Sequence, residues 1–245
     1  MKVAIQGFFI LVLIIVLAGC AKSPSAMLEK ITWLASTHPY GSTAVKIQTA
    51  ELTIYVDPVD LVNIDTLPPA DVILLTHFHG DHFSPATIGP LLTPATVIIT
   101  PDLQTVQEAL PQAKTALVLP GKPASVNDFV IDAIPAYGCA AHPAEAGGLG
   151  YLFTLDGVRC YISGDTGPTP EALALSGIDI AVLNVRKPYG LSGQDVVEFA
   201  IAVKPQIIVP IHWLPENDEY GDSEQIAYIR EHLPSTSMLS ILDLK

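Results

Sequence analysis

The feature that most constrains this chain is the heptapeptide Thr-His-Phe-His-Gly-Asp-His at residues 76–82, which directly follows the apolar run at residues 72–75. A short, uninterrupted apolar run is typical of a buried strand, so the heptapeptide is predicted to be the loop at the end of that strand. Because side chains alternate across an extended backbone, His77 and His79 point the same way and can bind one metal ion together.

The second half of the heptapeptide offers two further donors. Gly80 is expected to permit a tight turn, which would direct Asp81 and His82 toward a second ion close to the first. The sequence therefore predicts a metal site built on one strand end. The alternative is a polar turn whose histidines only cap the helix expected from residue 85.

The rest of the chain alternates apolar runs with turn-forming residues. Three short runs at residues 31–34, 44–47 and 52–56 predict an antiparallel meander that stops at the Asp-Pro pair of residues 57–58. Further strands are predicted at residues 96–99, 116–119, 125–136, 150–155, 158–163, 180–184 and 207–211, and helices at residues 85–92, 101–110, 170–175, 194–204 and 223–233. Strands alternating with helices suggest sheets that are covered on their outer faces.

At the heptapeptide the chain resembles the metallo-β-lactamase-fold hydrolases, whose signature is His-x-His-x-Asp-His after a buried strand. It is most similar to the branch that includes ascorbate-phosphate lactonase-like proteins, and the resemblance extends from about residue 31 to His212. The resemblance implies an α/β fold of the four-layer αββα sandwich type. It also implies a metal-dependent hydrolase with a dinuclear site.

Three downstream residues match the family's remaining ligands. His142 lies in a Pro-Ala-Tyr…His-Pro…Gly-Tyr context, Asp165 in a Gly-Asp-Thr motif, and His212 in a Pro-x-His motif. The resemblance assigns His77, His79 and His142 to one ion, Asp81, His82 and His212 to the other, and Asp165 to both. A shared carboxylate is physically reasonable, because two neighbouring dications repel each other and need an anion between them. Surface-loop, turn and buried structural roles are the respective alternatives.

Three further residues are expected to border the site. The branch carries a similar Asp-Pro corner, and Asp57 would then accept a hydrogen bond from a ligand histidine, although an ordinary Asx turn explains it equally well. Arg186 and Lys187 follow a predicted strand and could clamp a phosphate or carboxylate of a substrate, the alternative being a solvated pair of cations.

Nitrogen and oxygen donors without thiolate suit Zn²⁺, and they also suit Mn²⁺ or iron. Two such ions would lower the pKa of a shared water, and the resulting hydroxide would attack an ester, lactone or phosphodiester substrate while Asp81 orients it or carries its proton. The alternatives are a metallo-β-lactamase that cleaves amides, a metal-binding lipoprotein without catalysis, and a diiron redox enzyme. No dinucleotide or flavin fingerprint supports the last of these.

The N-terminal segment predicts export. Residues 1–19 have a basic start and an apolar core typical of a secretory signal peptide. Residues 17–20, Leu-Ala-Gly-Cys, resemble the bacterial lipobox, which implies cleavage before Cys20 and lipidation of that residue. An uncleaved membrane span over residues 3–21 is the alternative. Residues 20–30 would then be a lipidated tether and residues 31–245 a hydrolase domain on the periplasmic or extracellular side of a membrane.

Composition and charge limit the classes of partner that the chain can bind. With 245 residues, 49% of them apolar, the chain can bury one sizeable core, and its formal charge of −13 argues against nucleic acid. A small-molecule substrate and a membrane anchor are therefore the expected partners. In an oxidising compartment Cys139 and Cys160 could form a disulfide or remain two free thiols.

Overall fold

The computed structural model describes residues 23–214 and 221–245. The expected signal peptide and Cys20 lie outside the described residues. Within the described part, every helix is too short or too polar to serve as a membrane span.

Two sheets form the centre of the protein. The first has six strands, β1 Ile31–Trp33, β2 Val45–Gln48, β3 Thr53–Val56, β4 Val72–Leu74, β5 Val97–Thr100 and β6 Lys114–Leu117, paired in that order. The second has seven strands, β7 Ala124–Val126, β8 Phe129–Pro135, β9 Leu149–Leu155, β10 Val158–Ile162, β11 Ile180–Asn184, β12 Ile207–Ile211 and β13 Met238–Leu239, also paired in sequence order.

Six α-helices accompany the sheets. They are α1 Pro24–Leu28, α2 Pro85–Leu91, α3 Leu103–Ala109, α4 Pro170–Leu173, α5 Gly193–Val203 and α6 Asp222–His232. Most begin at a polar N-cap of the kind that defines a helix start. Ser192, for example, forms a reciprocal capping box with Asp195 at the start of α5.

Side chains alternate between the two faces of each strand, so that each sheet packs against the other sheet on one face and against helices on the other. In β4, Val72 and Leu74 face the core between the two sheets, whereas Ile73 packs with Ile88 of α2 and Val106 of α3 on the outer side. On the far side of the second sheet, the outward residues of β10 to β12 pack against α4, α5 and α6. Strands buried on both faces are apolar throughout, which explains the uninterrupted runs in the sequence. The result is the four-layer αββα sandwich.

Strand direction brings many strand ends to one edge. The meander of β1 to β3 is antiparallel as predicted, and β3 to β6 are mutually parallel. In the second sheet β10, β11 and β12 are parallel, and β8 runs in their direction because β9 is antiparallel to both β8 and β10. Since parallel strands end at the same edge, the carboxyl ends of both sheets form one rim.

Three features differ from the sequence-based expectation. The expected tether over residues 20–30 contains α1, capped by Ser23, and Met27 of that helix is fully buried in the core between the sheets. The predicted run 125–136 is two strands, because Asn127 adopts a positive φ of 52° and turns the chain back. The short strand β13 was not predicted, since two residues carry no periodicity.

The two cysteines within the described residues are free. Cys160 lies in β10, buried in the core between the sheets, whereas Cys139 lies in a partly exposed loop after β8. Of the two alternatives left open by the sequence, the structure has two free thiols.

We expect Met27→Ala to lower the free energy of unfolding by about 2–5 kcal/mol, because it leaves a cavity in the core. Urea denaturation of the chain from residue 20 onward measures this change. Ser25→Ala on the exposed side of the same helix is the control and should have a small effect. Equal effects of the two substitutions would mean that α1 does not belong to the folded domain.

Candidate metal centre

Three histidines meet at the rim where the sheets' carboxyl ends converge. His77 and His79 follow β4, and His142 lies in the loop between β8 and β9. Nε2 of His77 is 3.2 Å from Nδ1 of His79 and 3.2 Å from Nε2 of His142. The His142 ring is oriented by a hydrogen bond of 2.7 Å between its Nδ1 and the carbonyl oxygen of Ala140, so that Nε2 faces the other two histidines.

These spacings fit a metal ion. Ligand nitrogens about 2.0–2.1 Å from a tetrahedral zinc are themselves about 3.3 Å apart, close to the observed separations. Nδ1 of His142 must donate to the carbonyl oxygen of Ala140, so in the neutral ring its Nε2 carries a lone pair directed at the other two histidines, as a metal ligand does.

A second group lies beside the first and consists of Asp81, His82 and His212. His212 follows β12, and its Nε2 is 3.7 Å from Oδ2 of Asp81. His212 is fully buried, and neither of its ring nitrogens has a hydrogen-bond partner among the described residues. Burial lowers the pKa of His212 to about 4, with Asp165 and Asp81 opposing the shift. A buried, neutral imidazole without a hydrogen bond is a donor suited to a metal.

Asp165 lies between the two groups. Its Oδ2 is 3.2 Å from Nε2 of His82, 3.6 Å from Nε2 of His142 and 3.8 Å from Nε2 of His212. Its other oxygen, Oδ1, accepts a hydrogen bond of 2.8 Å from Nδ2 of Asn184, at the end of β11. One carboxylate oxygen therefore faces histidines of both groups, which is the position of a bridging ligand.

The backbone before Asp165 is tightly packed. Gly164 has a φ of +61°, and a Cβ at this position would lie 2.7 Å from the carbonyl oxygen of Leu149. Only glycine allows β10 to end in a turn that directs Asp165 into the rim. Gly80 has no comparable requirement, because its φ lies outside the left-handed region and the space around it is open. The expected turn is present, since the backbone N–H of His82 bonds to the carbonyl oxygen of His79 at 2.9 Å, but it does not depend on a glycine at position 80.

Asp57 forms a hydrogen bond with the ring of His82. It follows β3, is 2% exposed, and its Oδ2 lies 2.8 Å from Nδ1 of His82. The hydrogen bond expected from the Asp-Pro corner is therefore present. Burial raises the pKa of Asp57, an effect that its hydrogen bond and charge interaction with His82 oppose.

His82 is fully buried between two carboxylates. Burial alone lowers its pKa, but the charge of Asp165, followed by hydrogen bonds to Asp165 and Asp57, raises the pKa well above the usual value. The site thus attracts positive charge strongly at the Nε2 of His82, and a metal ion that binds there must displace a proton.

Two of these residues have strained backbones. Asp57 has a φ of 42° and His212 a φ of 64°, values that residues other than glycine rarely adopt. Such strain persists only where surrounding structure enforces it, and it concentrates at functional sites.

A cleft of about 330 Å³ opens over the cluster. Its walls include Tyr40, from the loop between β1 and β2, and Tyr189, from the loop after β11. Arg186 also lines it, is 3% exposed, and its Nη1 lies 3.6 Å from Oδ2 of the fully buried Asp222.

Lys187 does not line this cleft. It is exposed and borders a separate hollow with Cys139, Pro188 and Gln194. Lys187 lies in a turn closed by the backbone N–H groups of Tyr189 and Gly190, which bond to the carbonyl oxygen of Arg186, so that the two neighbouring side chains line different hollows. The suggestion that both cations clamp one substrate group is therefore wrong for Lys187.

The structure thus brings all seven expected donors together. Their atoms form three overlapping sets, each within 4.8 Å: His77, His79 and His142; His77, His82 and Asp165; Asp81, His82 and His212. The first and third sets are the expected groups, and the second joins Asp165 to one histidine of each.

Sequence reasoning gave no individual role to Asn184, Tyr40 or Tyr189. The position of Asn184 and Tyr189 at or just after a predicted strand end was the available signal, whereas Tyr40 lies in a loop without a pattern.

The chain is similar to proteins of a known family. Residues 30–212 match the model of a family described as the beta-lactamase superfamily domain. A UPF0173 protein of Pyrococcus abyssi is 27% identical over 219 residues, covering 88% of this chain and 96% of that protein. A UPF0173 metal-dependent hydrolase of Archaeoglobus fulgidus is 26% identical over 199 residues, covering 75% of this chain and 83% of that protein.

One solved structure is similar in both sequence and fold. A protein of Parabacteroides distasonis, described as a metal-dependent hydrolase, superposes with a TM-score of 0.68 and 30% identity, covering 82% of this chain and 90% of that chain. This similarity confirms the fold class expected from the sequence.

We expect His79→Ala and His212→Ala to weaken zinc binding by about 100-fold or more, since loss of a ligand costs at least as much as loss of its supporting hydrogen bond. Competition with a chromophoric chelator measures the affinity. His232→Ala is the matched control, because this histidine is exposed on α6 and stacks only on Tyr228. Unchanged zinc affinity in both site variants would mean that the cluster is not a metal centre.

Proposed function

This chain belongs to the metallo-β-lactamase superfamily of metal-dependent hydrolases, and on that basis we propose that it binds two Zn²⁺ ions and cleaves an ester, lactone or phosphodiester. The observation that carries the proposal is the position of Asp165, whose Oδ2 faces histidines of two donor groups on the floor of an open cleft. His77, His79 and His142 would hold one ion, Asp81, His82 and His212 the other, and Asp165 both.

Two ions held by these residues would supply an activated water and Lewis-acid polarisation of the substrate oxygen. The residues of the chain do the rest. Asp81 is the partly exposed carboxylate of the cleft, with 17% of its side chain accessible, and the Thr43 hydroxyl fixes its backbone by a hydrogen bond of 2.8 Å to its carbonyl oxygen. Asp81 therefore can accept a hydrogen bond from the attacking water and move its proton toward the leaving group. The hydroxyl joins the acyl carbon or phosphorus, and the proton completes the departing oxygen.

The buried part of the site holds these groups in place before a substrate arrives. Asp165 is fixed by Asn184, and His82 by Asp57. Because these side chains are buried and hydrogen-bonded, little reorganisation is required during the reaction. Tyr40 and Tyr189 also line the cleft and would provide apolar surface for the body of a small substrate.

We expect the zinc-loaded protein to hydrolyse one class in a panel of esters, lactones and phosphodiesters, and a chelator to abolish this turnover until zinc is restored. Asp81→Asn should lower kcat by about 10²–10⁴-fold, because the amide cannot accept the proton. Steady-state kinetics and metal analysis of the same samples separate loss of chemistry from loss of metal.

The panel also includes a β-lactam amide. Turnover of the amide alone would identify a β-lactamase instead. Stoichiometric zinc with no turnover on any class would favour a binding role without catalysis. Turnover that is indifferent to chelation would contradict the proposed mechanism.

We further propose that the substrate carries an anionic group that pairs with Arg186. Among the described residues that line the cleft, Arg186 is the only lysine or arginine. Nη1 of Arg186 lies 3.6 Å from Oδ2 of Asp222, and this oxygen also accepts the backbone N–H of Leu214. A planar, permanently charged donor at the edge of a metal cleft suits a carboxylate or phosphate.

We expect the wild-type protein to prefer an anionic substrate over its neutral isostere, and the preference in kcat/KM to fall about tenfold or more in Arg186→Gln/Asp222→Asn. The double substitution avoids leaving a buried charge without its partner. Arg186→Lys, which keeps a positive charge beside Asp222, is the matched control and should keep more of the preference than the double variant. An unchanged preference in the double variant would rule out this role of Arg186.

A further inference from the structure

Thr76 lies directly beneath the cluster and belongs to none of the donor groups. Its side chain is fully buried at the end of β4. Its hydroxyl oxygen Oγ1 is 2.6 Å from Oδ2 of Asp57 and 3.0 Å from Nδ1 of His77. We propose that Thr76 is a positioning residue that fixes the ring of His77 for metal binding, by connecting it to the carboxylate that also holds His82. The proposal rests on the proposed metal centre.

The number of protons determines the direction of these hydrogen bonds. A hydroxyl has one proton to donate, and an ionised carboxylate can only accept. Thr76 therefore donates to Asp57, and its oxygen is left to accept. Nδ1 of His77 must then carry the ring proton and donate it to Thr76. This leaves the lone pair on Nε2, the atom that faces His79 and His142.

The carboxylate of Asp57 is well suited to anchor this connection. Its Oδ1 accepts the backbone N–H of Thr76 at 2.8 Å, while its Oδ2 accepts the Thr76 hydroxyl and Nδ1 of His82. Thr76 is thus attached to Asp57 through both its backbone and its side chain. The hydroxyl cannot rotate toward another acceptor without leaving a buried charge with one fewer donor.

One carboxylate therefore orients a histidine in each donor group. It holds His82 directly and His77 through the hydroxyl of Thr76. The two connections differ in what they require: the His82 contact needs only Asp57, whereas the His77 contact also needs the hydroxyl. Removal of that hydroxyl is expected to weaken the group of His77, His79 and His142 selectively.

The decisive variants are Thr76→Val and Thr76→Ser. Valine preserves the shape of threonine but cannot relay the hydrogen bond, whereas serine restores the hydroxyl in a smaller side chain. Thr100→Val is the matched control, because Thr100 is also a fully buried threonine at a strand end and its hydroxyl bonds to the backbone of Asp102. All variants are prepared in the chain from residue 20 onward and loaded with zinc.

We expect Thr76→Val to bind one of two zinc ions about 10–100-fold more weakly in chelator competition, the other ion changing by less than about threefold. Thr76→Ser should recover the wild-type affinity to within about threefold, and Thr100→Val should not differ from the wild type. Equal affinity of Thr76→Val and wild type for both ions would overturn the proposal. So would equal weakening in the valine and serine variants, since that would indicate a packing role.

A second measurement does not depend on the variants folding. Nitrogen NMR of the histidine rings in the wild-type chain, metal-free at pH 8 and zinc-loaded, reports which nitrogen of His77 carries the proton. A proton on Nδ1 supports the relay, and a proton on Nε2 overturns it. A wild-type chain that binds no zinc would refute the proposed metal centre. The metal-free spectrum would still show whether Nδ1 of His77 donates its proton to Thr76.

Discussion

The site depends on the compensation of buried charge. Asp57 and Asp165 lie almost entirely out of water, at 2% and 3% exposure, and an isolated carboxylate in such surroundings is strongly unfavourable. Asp57 is compensated within the chain by three hydrogen-bond donors. Asp165 has one amide donor from Asn184, and its other oxygen faces imidazole nitrogens alone. The charge of Asp57 is therefore compensated within the chain, whereas Asp165 is positioned to bind a cation.

The fold makes this arrangement possible by directing strand ends to one rim. Residues after β3 and β4 come from the first sheet, and residues after β10 and β12 come from the second. Parallel pairing within each sheet aligns these ends, and face-to-face packing of the sheets brings the two sets into contact. Because the polar groups lie at strand termini, they do not interrupt the apolar core between the sheets.

Much of this could be predicted from the sequence, for identifiable reasons. The motif at residues 76–82 follows an apolar run, and His212 follows another at residues 207–211. His142 and Asp165 were recognised by the resemblance of their surroundings to motifs of the family. Strands β11 and β12 were predicted with the bounds that the structure shows. What could not be predicted depends on contacts between distant residues. Met27 is buried only because α1 covers the core, Lys187 points away from the cleft, and Thr76 acquires its connection to Asp57 from the pairing of β3 with β4.

The division of the donors between two sheets has a thermodynamic consequence. His77, His79, Asp81 and His82 come from the first sheet, whereas His142, Asp165 and His212 come from the second. An ion bound by both sets joins layers that are otherwise held by apolar packing, and the unfolded chain does not present these donors together. Since a ligand that binds only the native state stabilises it by mass action, an ion in the proposed centre would also hold the two halves of the sandwich together. Resistance to unfolding would then depend on the supply of metal as well as on the core.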